Sequence, residues 1–281
     1  MGDSIFSDLN KVGLGMLSGM NLYEEEEKKE AAAKKEAEKA AVPQEKDFLF
    51  DKGYRCPVCD TEFKTKAVRT GKAKMLGADT DLRPRYQGID SLKYDCIVCN
   101  KCGYASLSRF FNSITSAQAM FIKTNITPYF KGVDTKCETY SYDEAITRHQ
   151  IALANAVIKK SKASEKAYTC LKIAWLLRGQ AENLPDDTKD KEAFAKELKA
   201  KEAEYIKKAY EGFTTALAKE MPPICGMDQW TLIYLVADLA RQCEDYGSAM
   251  RLLSDLIVSP SASPRIKDKA RDMRKLLQDK L

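Results

Sequence analysis

The sequence predicts a mainly α-helical protein in which a small zinc-ribbon-like β module precedes a TPR-like helical array. Two Cys-x-x-Cys pairs separated by about forty residues predict the module. A nearly continuous helical pattern from Tyr142 to the end predicts the array. The predicted organisation is an N-terminal helical extension over 1–43, a zinc-binding module over 48–111 and a helical domain over 112–281.

The composition is that of a globular protein with a substantial core. Of the 281 residues, 44% are hydrophobic and 31% are charged, and no apolar run approaches the length of a membrane span. Nine cysteines in a chain of this length, without a basic secretory leader, favour metal binding over disulfides and predict a cytoplasmic location. The net charge of +5 does not by itself indicate nucleic acid binding.

The first 43 residues divide into an amphipathic start and a charged spacer. Between residues 4 and 20, apolar side chains recur at near-helical spacing, although three glycines weaken a helix there. The segment 24–41 consists of strong helix formers, with Glu and Lys placed for i,i+4 pairs and no apolar stripe. It predicts an exposed helical spacer that ends at Pro43.

The two cysteine pairs have the spacing of zinc knuckles. Four thiolates can bind one zinc ion tetrahedrally, which leaves no coordination position for a substrate. We therefore expect one structural zinc ion, and no cofactor besides it. The predicted ligands are Cys56, Cys59, Cys99 and Cys102.

Cys96 makes the second pair ambiguous, because Cys96, Cys99 and Cys102 recur every three residues and either adjacent pair has ligand spacing. A knuckle favours a residue that tolerates positive φ directly after its second cysteine. Gly103 follows Cys102, whereas the less permissive Asn100 follows Cys99. The position of Gly103 directly after Cys102 favours Cys99 and Cys102 as ligands and predicts that Cys96 is a strand residue.

A polar segment lies between the knuckles and contains Asp79, Asp81, Arg83, Arg85 and Tyr86. Alternating carboxylates and guanidinium groups beside a tyrosine are able to bind an anion or a polar partner. The same residues are also able to form an internal clasp of salt bridges and hydrogen bonds on a long loop, which is the favoured interpretation. Both interpretations remain open at this stage, and no catalytic residue is identified.

An ordered set of motifs runs through most of the chain. Its members are Cys56-Pro57-Val58-Cys59, Phe63, Asp79 with Asp81, Arg83, Tyr86, Tyr94, Cys99-x-x-Cys102-Gly103-Tyr104-Ala105 and Ala174-Trp175-Leu176-Leu177-Arg178. Over roughly 48–281 the sequence resembles the DUF2225 family of bacterial proteins of unknown function, and Cys96 departs from that pattern. The resemblance implies a zinc-binding, mainly helical cytoplasmic protein and brings no established activity.

Helix signals dominate the second half of the chain. They predict helices near 113–130, 142–160, 163–180, 188–219, 228–243, 246–258 and 263–280. Similar helix starts at Ser141-Tyr142 and Asp245-Tyr246 indicate degenerate TPR-like repeats. The only histidine, His149, is expected to be a helix-packing or surface residue, and the isolated cysteines Cys137, Cys170, Cys225 and Cys243 are expected to be small buried residues.

Three functions follow from these features. The first is a zinc-stabilised interaction or scaffold protein with a protein or peptide partner. The second is a nucleic-acid- or ribosome-associated zinc ribbon that uses basic residues between the knuckles, namely Arg69, Lys72, Lys74, Arg83 and Arg85. The third is an enzyme or small-ligand binder that uses the Asp79–Tyr86 loop.

Overall fold

The computed structural model describes residues 43–278 and, ahead of them, Lys29 alone. The chain divides into two compact units, Met1–Asp47 and Phe48–Leu281. The amphipathic start and charged spacer predicted over 1–43 lie outside the described residues, apart from Lys29 and Pro43. Within the described ranges, no helix is both long and apolar enough to cross a membrane.

The first part of the larger unit contains three separate antiparallel hairpins, each with two strands. Two of these hairpins are closed by the cysteine knuckles, because Arg55 pairs with Glu62 across the first and Val98 with Ala105 across the second. The strands are β1 (Leu49–Arg55), β2 (Glu62–Val68), β3 (Met75–Ala78), β4 (Pro84–Tyr86), β5 (Cys96–Val98) and β6 (Ala105–Leu107), and a 3₁₀ turn spans Ser91–Tyr94.

The segment before the second knuckle, Ser91–Val98, is only partly extended. Its first half is the 3₁₀ turn, because Asp90 caps this turn by accepting a hydrogen bond from the Leu92 amide. Only Cys96–Val98 is extended. The loop predicted between the knuckles also contains a hairpin, β3–β4, whose second strand begins at Pro84.

Seven helices follow within the described residues. They are α1 (Ser116–Asn125), α2 (Tyr142–Ile158), α3 (Ala163–Glu182), α4 (Lys191–Lys219), α5 (Gln229–Gln242), α6 (Tyr246–Val258) and α7 (Pro264–Gln278). Six of them lie close to their predicted ranges. Helix α1 is shorter than predicted, because Thr115 and Gln118 form a capping box at its start and Thr127 bonds back to the Ile122 carbonyl beyond its end.

The helices build two adjoining apolar cores. The larger one surrounds α3, where Leu171, Ala174 and Leu176 are fully buried against residues of α2, α4 and α5. The second core joins α5, α6 and α7 through side chains such as Leu253 and Ala270. The TPR-like arrangement of these helices remains a prediction.

Helix α2 also packs on the second knuckle hairpin. Ala152 shares a small buried cluster with Cys96, Val98 and Ala105. The Asn155 side chain donates a hydrogen bond of 3.1 Å to the carbonyl oxygen of Gly103. The position of the second knuckle is therefore fixed by a helix as well as by its own hairpin.

Candidate metal centre

The two knuckles have the same backbone hydrogen bonds. In each, the amide of the first cysteine donates to the carbonyl five residues later, and the amide after the second cysteine donates back to the first cysteine. These bonds are Cys56 N to Thr61 O at 2.9 Å, Asp60 N to Cys56 O at 2.9 Å, Cys99 N to Tyr104 O at 2.8 Å and Gly103 N to Cys99 O at 2.9 Å. Each turn therefore presents two sulfur atoms on the same side.

Asp60 and Gly103 occupy the positions where the sequence predicts positive φ. Their φ angles are 58° and 74°. Aspartate tolerates this conformation and glycine adopts it without steric cost. A Cβ atom on Gly103 would also lie 2.6 Å from Cγ of Phe130, which is far inside van der Waals contact. Glycine is therefore required at this position for two independent reasons.

The four sulfur atoms form one compact cluster. Cys56 Sγ lies 3.6 Å from Cys102 Sγ, and Cys59 Sγ lies 3.6 Å from Cys99 Sγ. All four lie within 4.8 Å of one another. A tetrahedral zinc ion with Zn–S bonds of ~2.3 Å separates its sulfur ligands by about 3.8 Å. The arrangement is therefore compatible with a zinc site.

The surroundings of the cluster favour the thiolate at Cys99, but they raise the pKa of the thiols of Cys56 and Cys102. Cys56 and Cys99 are completely buried, and the amide of Val58 donates to the Cys56 sulfur at 3.4 Å. Hydrogen bonding with the Cys102 thiol, and next with Cys56, lowers the pKa of Cys99, while sharing with Cys56 and Cys99 raises the pKa of Cys102. The thiolate is the form that binds a metal ion.

Cys96 is not among the clustered sulfur atoms. Its side chain is buried, and the thiol donates to the carbonyl oxygen of Arg148 at 3.1 Å. Burial raises the pKa of this thiol, so it stays protonated. The structure thus places Cys96 in strand β5 as a packing residue and brings Cys99 and Cys102 to the cluster.

Helix α1 lies directly on the cysteine cluster. Ile122 is completely buried in the apolar cluster that contains the four cysteines, with Ala119 and Ile126 packed beside it. The Thr127 hydroxyl donates to the carbonyl oxygen of Cys102 at 2.9 Å. The inner face of α1 is therefore supported by the cysteine cluster and its knuckles.

The tip of the β3–β4 hairpin enters the helical part of the structure. Asp81 is completely buried there, although Leu82 beside it must adopt a φ of 68°. Asp81 Oδ2 accepts hydrogen bonds from Trp175 Nε1 at 2.9 Å and from Arg178 Nη2 at 2.7 Å. Thr80 at the same tip donates to Asp238 of α5 at 3.1 Å.

The arginines of this hairpin bind carboxylates. Arg85 pairs with both oxygens of Asp79, at 2.8 and 2.9 Å, and with both oxygens of Glu182, at 2.5 and 2.7 Å. Arg83 is almost fully buried and contacts Glu182 at 3.1 Å and Asp90 at 3.5 Å. Burial would raise the pKa values of Asp79 and Glu182, but the guanidinium groups, chiefly that of Arg85, outweigh it and lower both.

Four of the five polar residues singled out in the sequence are thus bound internally. Asp79, Asp81, Arg83 and Arg85 form a network with α3, which corresponds to the internal clasp. The sequence did not indicate three further charged residues of this network, namely Arg178, Glu182 and Glu202. Arg178 belongs to the motif that begins at Ala174, but the motif does not indicate which carboxylates this arginine binds.

His149 and a cluster of Asp134, Cys137 and Glu144 also carry side chains of the kind that can bind metal ions. His149 is completely buried, and its Nδ1 donates to the Ala145 carbonyl at 2.7 Å. Burial lowers its pKa to about 4, so the ring is neutral. Asp134, Cys137 and Glu144 also lie close together, but Glu144 is already used to cap α2 at Ser141. Neither group has the four-sulfur arrangement of the cysteine cluster.

Fold and site together define a class: a mainly helical protein with small antiparallel hairpins and a four-cysteine cluster suited to a metal ion. The chain matches a family model described as "Uncharacterized protein conserved in bacteria (DUF2225)" over residues 49–277. It therefore belongs to the DUF2225 family. No curated protein and no solved structure matches the chain.

Proposed function

We propose that this protein is a zinc-stabilised interaction protein whose metal ion supports a binding surface for a partner protein. The arrangement of the four cysteine sulfurs carries the proposal, because their spacing suits one tetrahedral zinc ion. Four protein ligands leave no open coordination position. The zinc ion then holds two knuckles and the helix above them, and it performs no chemistry on a substrate.

The outer face of α1 and the adjacent end of α2 supply the proposed surface. Met120 and Val157 are more than half exposed, and Phe121 is 37% exposed. The ammonium group of Lys160 lies 5.3 Å from the centre of the Phe121 ring. The backbone amide of Lys160 donates a hydrogen bond to the carbonyl oxygen of Val157. We name Met120, Phe121, Val157 and Lys160 the α1 surface.

The chemistry of the α1 surface defines the partner. An exposed apolar patch beside a cation suits a segment with apolar side chains and carboxylates. Lys123, which is also exposed on α1, adds a second positive charge. We therefore propose an acidic, amphipathic segment of a partner protein as the occupant, with the TPR-like array of α2–α7 as its rigid support.

The nucleic-acid alternative receives less support from the structure. It requires five basic residues to be free for phosphates, but Arg83 is buried and Arg85 binds two carboxylates. Arg69 donates to the Leu49 carbonyl and lies over the Phe50 ring. Of the five, only Lys72 and Lys74 are exposed with side chains that make no such contact to the described part of the chain.

A photo-crosslinking experiment tests the proposed surface. A photoreactive amino acid at Phe121 should capture a partner in the native cytoplasm, and the acidic segment of that partner would then be synthesised as a peptide. We expect Phe121→Asp to weaken binding of the peptide about tenfold or more, because it places like charge against the peptide. The matched control is Val258→Asp, since Val258 is 77% exposed on α6, outside this surface.

Two further results bear on the proposal. Cys99→Ser should abolish both zinc binding and peptide binding, whereas Phe121→Asp should leave the zinc content unchanged. Equal peptide affinity in Phe121→Asp and the unaltered protein would overturn the α1 surface. Equal affinity in a zinc-free Cys99→Ser protein would overturn the role of the metal ion.

A further inference from the structure

A cavity of about 340 Å³ lies between the β1–β2 hairpin, strand β4, the 3₁₀ turn and helix α3. Three tyrosines and three charged residues line it, namely Tyr54, Tyr86, Tyr94, Lys52, Asp95 and Lys172. We name it the tyrosine cavity. Its volume lies within the range typical of small-ligand sites, about 300–1,000 Å³. Tyr86, the remaining residue of the polar segment, thus lies at this cavity.

The charged residues of the tyrosine cavity leave one positive charge in excess. Lys172 Nζ binds Asp95 Oδ2 at 2.7 Å, and the Ser108 hydroxyl donates to Asp95 Oδ1 at 2.5 Å. Asp95 is therefore neutralised by a buried partner. Lys52 contacts the face of the Tyr54 ring at 5.2 Å and forms no ion pair within the described part of the chain. Its charge remains available to a ligand.

The aromatic walls are held in place by rings behind them. Tyr94 stacks on Tyr140 with centroids 5.1 Å apart, and its hydroxyl accepts a hydrogen bond from the Tyr140 amide. Tyr54 packs against Phe63 and Phe111 at centroid distances of 6.1 and 5.7 Å. Preorganised rings bind a planar ligand with little loss of side-chain freedom.

We propose that the tyrosine cavity binds a small anion that carries a planar ring. The ring would contact the tyrosine walls, while the anionic group would pair with Lys52 at the mouth of the cavity. A nucleoside monophosphate and an aromatic carboxylate share this chemistry. The cavity is lined neither by the four cysteines nor by the α1 surface, so its ligand is tested separately from the proposed function.

Isothermal titration of the full-length protein with four probes tests the proposal. The probes are adenosine monophosphate, adenosine, inorganic phosphate and 4-hydroxybenzoate. We expect saturable binding of at least one of the two probes that combine a ring with an anion, and weaker binding of adenosine and of phosphate. Tighter binding of adenosine monophosphate would indicate a nucleoside monophosphate as the ligand, and tighter binding of 4-hydroxybenzoate would indicate an aromatic carboxylate.

Two variants locate any binding that is observed. Ala67 lines the cavity, so Ala67→Phe should fill it and abolish binding. Lys52→Glu should weaken binding about tenfold, the value of one charge-assisted hydrogen bond. Lys64→Glu is the matched control, because Lys52 pairs with Thr65 in the hairpin and Lys64 therefore lies on the opposite face.

Defined outcomes would overturn the proposal. It fails if none of the four probes binds, if phosphate alone binds as tightly as adenosine monophosphate and 4-hydroxybenzoate, or if Ala67→Phe binds a probe as well as the unaltered protein does. It also fails if Lys52→Glu and Lys64→Glu have equal effects. Zinc content and thermal unfolding of each variant are measured in parallel, so that a misfolded variant is recognised and replaced by Ala67→Leu.

Discussion

Trp175 donates its indole N–H to Asp81 Oδ2 across 2.9 Å and thereby joins the tip of the β3–β4 hairpin to the centre of helix α3. Both side chains are buried, and the same carboxylate oxygen accepts a hydrogen bond from Arg178. A carboxylate removed from water requires such partners in order to remain charged. The hairpin tip is therefore a fixed part of the helical core rather than a free binding loop.

The pairing of Asp81 with Arg178 predicts a large effect of removing one charge. Asp81→Asn preserves the shape of the side chain but leaves Arg178 without this partner, so we expect a loss of about 3 kcal/mol in the free energy of unfolding. Denaturant unfolding measures it. Asp51→Asn is the control, because Asp51 pairs with Lys66 at 2.9 Å while half-exposed, and its loss should cost less than about 1 kcal/mol. Equal effects of the two variants would show that the network contributes little.

Replacing Gly179 with alanine should lower the stability of the protein, although alanine favours a helix more than glycine does. A Cβ atom at this position of α3 would lie 2.8 Å from Arg83 Nη2 and 2.8 Å from Cε1 of Tyr142. Alanine is intrinsically better than glycine in a helix by about 1 kcal/mol. The clash with Arg83, which is held by Asp90 and Glu182, should outweigh this gain. We therefore expect Gly179→Ala to lower the free energy of unfolding by about 1–2 kcal/mol.

Gly247 provides the matched control for this substitution. It lies in α6, and a Cβ atom there would have no heavy atom within 4 Å. Gly247→Ala should therefore be neutral or stabilising in the same denaturant experiment. If Gly179→Ala stabilises the protein as much as Gly247→Ala does, Arg83 is not held tightly against α3.

His149 predicts a specific pH dependence. Its pKa is lowered to about 4 by burial, from an ordinary value of 6.5, and the charges that act on it belong to Asp95, Lys172 and Asp90. As the pH falls from 6.5 towards 4, the imidazole of His149 binds a proton in the unfolded chain but stays neutral in the folded protein. The histidine therefore lowers stability over that interval by up to about 1.4 kcal/mol per pH unit, and it contributes nothing above it.

The titration is directly observable, because His149 is the only histidine of the chain. Its imidazole C2 proton gives a single resonance in an NMR spectrum recorded between pH 7.5 and 4. We expect the chemical shift to stay constant down to about pH 5. A midpoint near 6.5 would mean that the ring is accessible to water in the folded protein.

Local signals in the sequence predicted much of this structure. The knuckles follow from cysteine spacing and from Gly103, since a turn with positive φ depends only on neighbouring residues. The start of α2 follows from Ser141 and Glu144, which form a capping box three residues apart. Such features lie within a few residues of each other and leave a readable pattern.

Long-range features could not be predicted in the same way. Asp81 and Arg178 are 97 residues apart, and neither position indicates which charge the other will meet. The sequence did not predict the β3–β4 hairpin, because proline and glycine are unfavourable in strand interiors and the hairpin contains Pro84 and Gly77. Proline is tolerated at the first residue of a strand, which is where Pro84 lies. The tyrosine cavity depends on four separate elements and has no local signal at all.

Metal analysis of the purified protein shows directly whether the four clustered cysteines bind zinc. We predict about one zinc ion per chain, lost in Cys99→Ser and retained in Cys96→Ser, because Cys99 belongs to the sulfur cluster and Cys96 bonds to the Arg148 carbonyl instead. Zinc retained by Cys99→Ser together with zinc lost from Cys96→Ser would contradict the assignment of the ligands. A purified chain that binds no zinc would contradict the proposed metal site and the zinc-supported surface.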